Sequence, residues 1–218
     1  MSVPMDYEIA RARMVQEQFI KRGITDERVL AAMGALPRHL FIDQAFWPRA
    51  YGDHSLPIGN DQTISQPYIV ALMTQELQLP ENASVLEIGT GSGYQAAVLG
   101  VMGCTVYSIE RFTDLSERAR KIIEKLQIRN INFRVGDGSL GWKEHAPFDA
   151  IIVAAGSPDL PESLVEQLAV GGKLIIPVGS RQSQRLIKVV RGRQMLEKHD
   201  ICGCMFVPLV GDNAWKSE

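Results

Sequence analysis

Val85-Leu86-Glu87-Ile88-Gly89-Thr90-Gly91-Ser92-Gly93-Tyr94 is the stretch that decides the fold of this chain. It begins as an apolar run containing Val and Ile and then breaks into glycines. After it, Ala96, Ala97, Val98 and Leu99 resume an apolar pattern at helical spacing. That order predicts a buried parallel strand, a tight turn and the start of a helix. Glycine suits so sharp a turn because positive φ and close backbone approach are open to it. The start of the helix then offers unpaired N–H groups to whatever lies in the turn.

The spacing narrows the ligand. A dinucleotide turn reads G-x-G-x-x-G/A, with a third small residue that lets the helix pack on its strand. Here the glycines are Gly89, Gly91 and Gly93, and the dinucleotide's third position falls on Tyr94. A tyrosine there argues against a pyrophosphate binder. Glu87 lies inside the end of the strand, so the motif reads E-x-G-x-G-x-G. This resembles motif I of the class I S-adenosylmethionine methyltransferases.

The sequence downstream continues in regular alternation. Strands are expected at 85–88, 105–109, 132–135, 148–153 and 173–178, and helices at 94–102, 114–127 and 162–168. Alternating β and α predicts a doubly wound, mostly parallel α/β sheet with helices on both faces. Ligands bind outside the carboxyl ends of such strands. Glu110 ends the second strand, about twenty residues past the glycine turn, where an acid can accept from ribose hydroxyls. Asp137 ends the third strand, where a carboxylate can accept from an exocyclic amine. Asp149 opens the fourth strand and is expected to be structural.

Upstream, residues 1–60 read as a helical extension. A helix is expected over 5–22, with Ile9, Val15, Phe19 and Ile20 on one face and Gly23 as its C-cap. Thr25 is the expected N-cap of a second helix through Met33. His39, after the Pro37-Arg38 break, is expected to be a satisfied structural histidine. Residues 56–68 read as a polar, Pro- and Gly-punctuated loop before a helix over Tyr68–Leu77. Ser65 or Gln66 sits near the cap of that helix, and Pro67 suits its first turn. A loop rich in hydroxyls and amides at this point also suits a substrate lid. The tail reads as three short antiparallel edge strands, Arg185–Val190, Gln194–His199 and Cys202–Val207, with basic residues blunting the edge.

Composition bounds the class. The 218 residues are 45% hydrophobic and 22% charged, with a formal net charge of −2. That is an ordinary globular balance with no basic field to attract nucleic acid. There is also no Asn/Asp-Pro-Pro-Tyr/Phe tetrapeptide after the fourth strand, where amino-methyltransferases stack a flipped base. The three cysteines, Cys104, Cys202 and Cys204, give neither a disulfide framework nor a zinc site, so no metal is expected. No apolar run is long enough to cross a bilayer, and the charged N-terminus lacks a signal-peptide core. A cytoplasmic protein without a membrane partner is expected.

Nearly end to end, from about Met14 to about Leu209, the chain resembles the protein-L-isoaspartate (D-aspartate) O-methyltransferase family. The resemblance is carried by Arg22-Gly23-Ile24, Pro37-Arg38-His39, Pro57-Ile58-Gly59, Gln62-Thr63-Ile64-Ser65-Gln66-Pro67-Tyr68, the glycine motif, Gly136-Asp137-Gly138 with Gly141-Trp142, and Phe206-Val207-Pro208-Leu209. Motif I is shared by many methyltransferases. The Thr-Ile-Ser-Gln-Pro block is not, so that block decides the substrate. The resemblance implies a single domain over 1–218, with the extension, a substrate loop and helix over 61–84, a cofactor-binding core over 85–180 and an antiparallel edge and tail over 181–218. It implies methyl transfer from S-adenosylmethionine, leaving S-adenosylhomocysteine, to isoaspartyl residues of damaged peptides and proteins, with a monomer favoured.

The family's active-site serine matches Ser65. By the same resemblance Glu87, Gly89, Thr90, Gly91, Ser92, Gly93, Glu110, Arg111, Asp137 and Gly138, with Ile64, Ser65 and Gln66, bind the cofactor. Pro57, Ile58, Gly59, Thr63, Ser65, Val207, Pro208 and Leu209 receive the substrate. Two departures stand out. Asp61 occupies a frequent glycine position, and Ala154-Ala155-Gly156 replaces a more usual Thr-Ala-Ala. The alternatives are a methyltransferase acting on a small molecule or nucleic acid, and a non-catalytic nucleotide-binding module.

The glycine turn should bind S-adenosylhomocysteine and not NAD. Calorimetry with the two ligands checks this, and tighter binding of NAD would reject the reading of the motif.

Overall fold

The computed structural model describes residues 6–216. Met1–Met5 and Ser217–Glu218, the outermost residues of the expected extension and tail, lie outside the described residues. Helix α1 (Tyr7–Met14) starts at Asp6, whose carboxylate accepts from the N–H groups of Glu8 and Ile9 at 2.9 and 3.2 Å. The path continues through a π-helical stretch, Val15–Phe19, and a 3-10 turn, Ile20–Arg22, to Gly23 at φ 89°. The change of pitch turns Phe19 and Met14 into the core and leaves Ile9 67% exposed, so the expected apolar face holds only in part. Helix α2 (Glu27–Ala35) is capped by Asp26, not Thr25. The Asp26 carboxylate accepts from Arg28 and Val29, while the Thr25 N–H donates to Gln75. An aspartate one residue later is an equally good cap, and its negative charge also favours a helix start.

The segment after Pro37 folds as two 3-10 turns, Arg38–Phe41 and Gln44–Arg49. They pack an aromatic cluster. His39 stacks on Tyr7 at 4.2 Å, meets Trp47 edge-on and has Nδ1 2.8 Å from the Tyr51 hydroxyl. This is the partnered structural histidine that its surroundings in the sequence suggest.

The 56–68 loop is more ordered than expected. It contains a hairpin, β1 (Leu56–Gly59) and β2 (Gln62–Ile64), turned by Asn60 and Asp61 at φ 52° and 54°. Asn and Asp tolerate this left-handed geometry better than other side chains, which is why Asp61 can stand where glycine is frequent. Helix α3 (Pro67–Leu77) follows, with Gln66 in the cap position and Pro67 in the first turn. Ser65 precedes the cap and is not itself the cap.

Strand β3 (Ser84–Ile88) leads through the glycine turn into helix α4 (Tyr94–Val101). Then come β4 (Thr105–Glu110), α5 (Thr113–Lys125), β5 (Ile131–Val135), β6 (Phe148–Val153), α6 (Glu162–Val165), β7 (Leu168–Gly179), β8 (Gln184–Arg191) and β9 (Leu196–Cys204). The seven-stranded sheet runs β5-β4-β3-β6-β7-β8-β9, parallel up to β7 and antiparallel beyond it. Helix α6 is shorter than expected because β7 begins before Gly171-Gly172 instead of after it. The two expected tail strands over 194–207 are one strand, β9, with a register slip opposite Leu186 and Ile187. Residues 206–209 leave the sheet: Leu209 N–H donates to the Gly156 carbonyl and Gly156 N–H to that of Val207, each at 2.8 Å. The buried Gln184 amide fixes this exit, donating to the Phe206 carbonyl and accepting from its N–H. Asp149 accepts from the Ser84 N–H at 2.8 Å and so ties β6 to the start of β3.

A carboxyl is enclosed at the centre of the sheet. Glu87 on β3 is 0% exposed and lies beside Ser108 in the β3–β4 register. The Ser108 hydroxyl donates to Glu87 Oε2 and lies 2.5 Å from the Thr90 hydroxyl. A chain of polar contacts thus runs from the core into the glycine turn. Glu87 Oε1 has no partner among the described residues. Burial pushes the carboxyl up from 4.5 to about 8, against the Ser108 bond and with help from the nearby charge of Glu110. Between those values the folded chain keeps a proton that the unfolded chain has released, so stability falls as pH rises. The loss is about 1.4 kcal/mol for each pH unit crossed. Glu87→Gln should therefore gain on the wild-type protein at pH 8 relative to pH 5, read as melting temperature at both pH values. Parallel pH curves would show that Glu87 ionises in the fold as it does in water.

Candidate active site

The turn between β3 and α4 is held from both sides. Gly89 and Thr90 N–H donate to the Ile109 carbonyl at 2.9 and 3.3 Å, and Gly93 N–H donates to that of Thr90 at 2.8 Å. Gly89, Gly91 and Gly93 lie at φ 91°, 52° and 84°, the left-handed region open to glycine at little cost. At Gly93 there is a second requirement. A Cβ there would stand 2.9 Å from the Cβ of Ala119 on α5, so this glycine sets the close approach of the two helices.

Glu110, at the end of β4, reaches across the turn. Its Oε2 accepts from Gly91 N–H at 2.8 Å, and its Oε1 accepts from the N–H groups of Arg111 and Phe112 at 2.8 and 3.0 Å. The carboxylate is buried, and its remaining lone pair borders a cavity. Turn residues 89–92 and Glu110–Phe112 form one wall of that cavity. Gln62, Thr63, Ile64 and Ser65 face them from β2 and the loop that follows, and Val207, Pro208, Leu209 and Val210 close the far side. No histidine, lysine, cysteine or aspartate is among the lining residues. The cavity therefore suits a reaction whose nucleophile arrives already ionised, and its chemistry is positioning.

Most of the candidate residues meet here. Gly89, Thr90, Gly91, Ser92, Glu110, Arg111, Gly138, Thr63, Ile64, Ser65, Val207, Pro208 and Leu209 all line the cavity. Others do not. Glu87 lies behind the turn and touches it only through Ser108 and Thr90. Gly93 faces α5, and Gln66 lies outside. The Asp137 carboxylate is engaged with backbone, accepting from Ser139 N–H and from Asp212 N–H, each at 2.8 Å. The tail from Gly211 covers it, leaving Asp137 in a neighbouring depression and not in the cavity. Pro57, Ile58 and Gly59 line an apolar groove on the other side of the hairpin, with Phe41, Phe46 and Leu115. Gly91 and Ser92 separate the groove from the cavity by bordering both.

Several lining residues were not legible as such: Gln62, Val70, Gln95, Phe112, Ala154, Ala155 and Val210. Phe112 and Ala154 had a usable signal, since they stand two residues and one residue past strand ends. Gln95 and Val70 arrive from the helices that pack over the turn, and nothing in their local sequence marks them.

The comparisons agree with this geometry. A family model described as protein-L-isoaspartate (D-aspartate) O-methyltransferase matches residues 10–214. The protein-L-isoaspartate O-methyltransferase of Syntrophotalea carbinolica is 53% identical over 215 residues, covering 98% of this chain and 99% of that one. The same enzyme of Geobacter metallireducens is 50% identical, covering 98% and 100%. A solved protein-L-isoaspartate O-methyltransferase superposes with a TM-score of 0.85 at 29% identity, over 94% of this chain and 67% of that one. A Plasmodium falciparum structure assigned to the same activity, solved with S-adenosyl-L-homocysteine, gives 0.80 at 26% identity, over 94% and 99%. A match this long in sequence, repeated in the fold, makes the chain a member of the protein-L-isoaspartate (D-aspartate) O-methyltransferase family.

Proposed function

We propose that the loop through Ser65 holds the acceptor carboxylate while the glycine turn and Glu110 hold the methyl donor, in the isoaspartyl methyl transfer of this family. The observation that carries this division is the cavity itself, which sets Thr63-Ile64-Ser65 against Gly89-Thr90-Gly91 and Glu110. The acceptor is the free α-carboxylate of an L-isoaspartyl residue, or the free side-chain carboxylate of a D-aspartyl residue.

S-adenosylmethionine is the donor, and when bound it supplies an electrophilic methyl carbon on a sulfonium. The residues present fit it. Gly89 and Gly91 bring bare backbone to the cavity, Ile109 and Phe112 add apolar surface, and Glu110 Oε2, which among the described residues accepts only from Gly91, keeps one acceptor position for a ribose hydroxyl. Each Glu110 oxygen already accepts from backbone, which fixes the carboxylate before any ligand arrives. Arg111, Gly138 and Ile64 complete the contacts assigned to the donor. Glu87 supports the same turn from behind.

A carboxylate with an ordinary pKa near 4 is ionised at neutral pH, so no general base is needed. That agrees with the residue types that line the cavity. Ser65, by hydroxyl or backbone N–H, orients the acceptor oxygen. Thr63 and Val207-Pro208-Leu209 border the peptide's path, and Pro57-Ile58-Gly59 form the outer face of the same hairpin. Holding the reacting atoms in line, away from water, can supply roughly 7–11 kcal/mol. The methyl ester then cyclises to a succinimide without further help, opening partly to normal aspartate. The three free cysteines fit a reducing cytoplasm, and the net charge of −2 fits a protein with no nucleic-acid partner.

An isoaspartyl linkage leaves the α-carboxylate on a main chain one methylene longer than normal. A normal aspartyl carboxylate sits one carbon further from the backbone path, and a misplacement of about 1 Å can cost about a hundredfold in rate. The isoaspartyl member of a matched peptide pair should be methylated and its aspartyl twin essentially not. Equal rates with labelled S-adenosylmethionine would reject the substrate. Ser65→Ala should lower turnover far more than it lowers affinity for S-adenosylhomocysteine, with little change in melting temperature because Gln66 holds the cap position. Unchanged turnover would remove the Ser65 hydroxyl from the site. Glu110→Ala should cost about 1–3 kcal/mol of S-adenosylhomocysteine binding, seen by calorimetry as a weaker dissociation constant. An unaltered constant would show that the acid serves only the turn.

A further inference from the structure

Arg38 is a fully buried cation outside the cavity. It is 0% exposed, in the turn that follows Pro37. Its Nε donates to the Ala50 carbonyl at 2.8 Å, and its Nη2 donates to the Ser65 carbonyl at 2.7 Å. Its Cζ lies 4.9 Å from the ring centroid of Tyr94, the residue that opens α4 immediately after the glycine turn. Nη1 has no partner among the described residues, and no ion pair described there involves Arg38.

An enclosed charge without a carboxylate is costly to fold. Desolvation pulls the guanidinium down to about 10, and it is still charged at neutral pH. An apolar residue would fill this space at lower cost if filling space were the only requirement. What the guanidinium adds is a planar fork. It spans carbonyls on two separate segments while its face lies on an aromatic ring, which the point charge of a lysine cannot reproduce. Of the groups it holds, Ser65 and Tyr94 both line the cavity, one from the loop before α3 and one from the start of α4.

We propose that Arg38 is a positioning residue for the methyl acceptor, fixing the Ser65 segment against the start of α4 and so setting the separation of the carboxylate seat from the glycine turn. With the Ser65 carbonyl tied to Arg38, the Ser65–Gln66 peptide plane cannot rotate, and the serine is presented to the cavity in one orientation. Arg38 touches neither substrate nor cofactor and acts through Ser65. The inference rests on the reading that Ser65 holds the carboxylate.

The test is a double-mutant cycle on the full chain, with Arg38→Lys, Arg38→Gln, Ser65→Ala and the combinations. Melting temperature, S-adenosylhomocysteine affinity by calorimetry, and kcat and KM for an isoaspartyl peptide at saturating S-adenosylmethionine are read for each. Arg38→Lys should lower kcat/KM for the peptide at least about tenfold while the S-adenosylhomocysteine constant moves less than about threefold. In the Ser65→Ala background the same exchange should add less than about threefold, because both changes remove one arrangement. If the Arg38 exchange multiplies fully onto an impaired Ser65→Ala, the Arg38 assignment alone is rejected. A Ser65→Ala variant with wild-type turnover rejects the reading of Ser65 and the Arg38 assignment with it. Loss of cofactor affinity in step with turnover, or failure of both Arg38 variants to fold, shows that the guanidinium holds the fold as a whole and overturns the proposal.

Discussion

Strand β3 must hand over to helix α4 between Ile88 and Tyr94, at the centre of a parallel sheet with β4 and β6 on either side. Only a backbone free to take positive φ makes that reversal, so the chain spends Gly89, Gly91 and Gly93 on it. The rest of the site is built to hold those residues still. Glu110 crosses the turn to Gly91, and Ser108 passes a contact from Glu87 to Thr90. Ala119 packs against Gly93 from α5. Glycines cost the most conformational entropy when they order, and these bonds offset that cost where the ligand must find a fixed surface.

The second wall comes from elsewhere in the sequence and is attached by long-range polar contacts. Asn60 donates to Asp114 on α5, and Arg118 on the same helix donates to the Ile58 carbonyl, so the hairpin is tied down next to the turn. Lys188 on β8 pairs with Glu76 on α3 at 2.6 Å, with both side chains largely shielded. Arg38 supplies the innermost tie. The N-terminal extension shares one core with the sheet domain. Its core residues, Phe19, Met33 and Phe41 among them, are continuous with those of α3 and α4.

What could be read from the sequence follows from how local the deciding physics is. The strand, the glycine turn and an acid at the next strand end are written within one βαβ unit, so their order and the place of Glu110 were legible. The N-cap at Asp26 was missed by one residue because Thr25 satisfies the same local rule, and only the tertiary contact from Thr25 to Gln75 separates them. The β1–β2 hairpin was hidden because its turn uses Asn60-Asp61 where glycine is the usual signal. Asp137 obeys the strand-end rule as well as Glu110 does. What differs is the tail, whose Asp212 N–H donates to the Asp137 carboxylate, a contact between residues far apart in the chain. The single strand β9 and the exit of Phe206 depend on Gln184 in the same way. Nothing local at Arg38 announces that it reaches both Ala50 and Ser65.

The placement of charge follows the same division. Glu110 borders the cavity beside the glycine turn. The second acid, Glu87, is enclosed where desolvation favours its neutral form, so the turn does not confront an anionic acceptor with two full negative charges. Arg38, the one buried guanidinium among the described residues, donates to the Ser65 carbonyl. In a cavity walled by Ile64, Val70, Ile88, Ile109 and Val207, such offsets are screened far less than at a surface. A site whose acceptor arrives already ionised acts through distance, direction and field. Glu110 and Ser65 line the cavity and were legible, whereas Arg38 and Gln184, which hold backbone from behind it, carry no local signal.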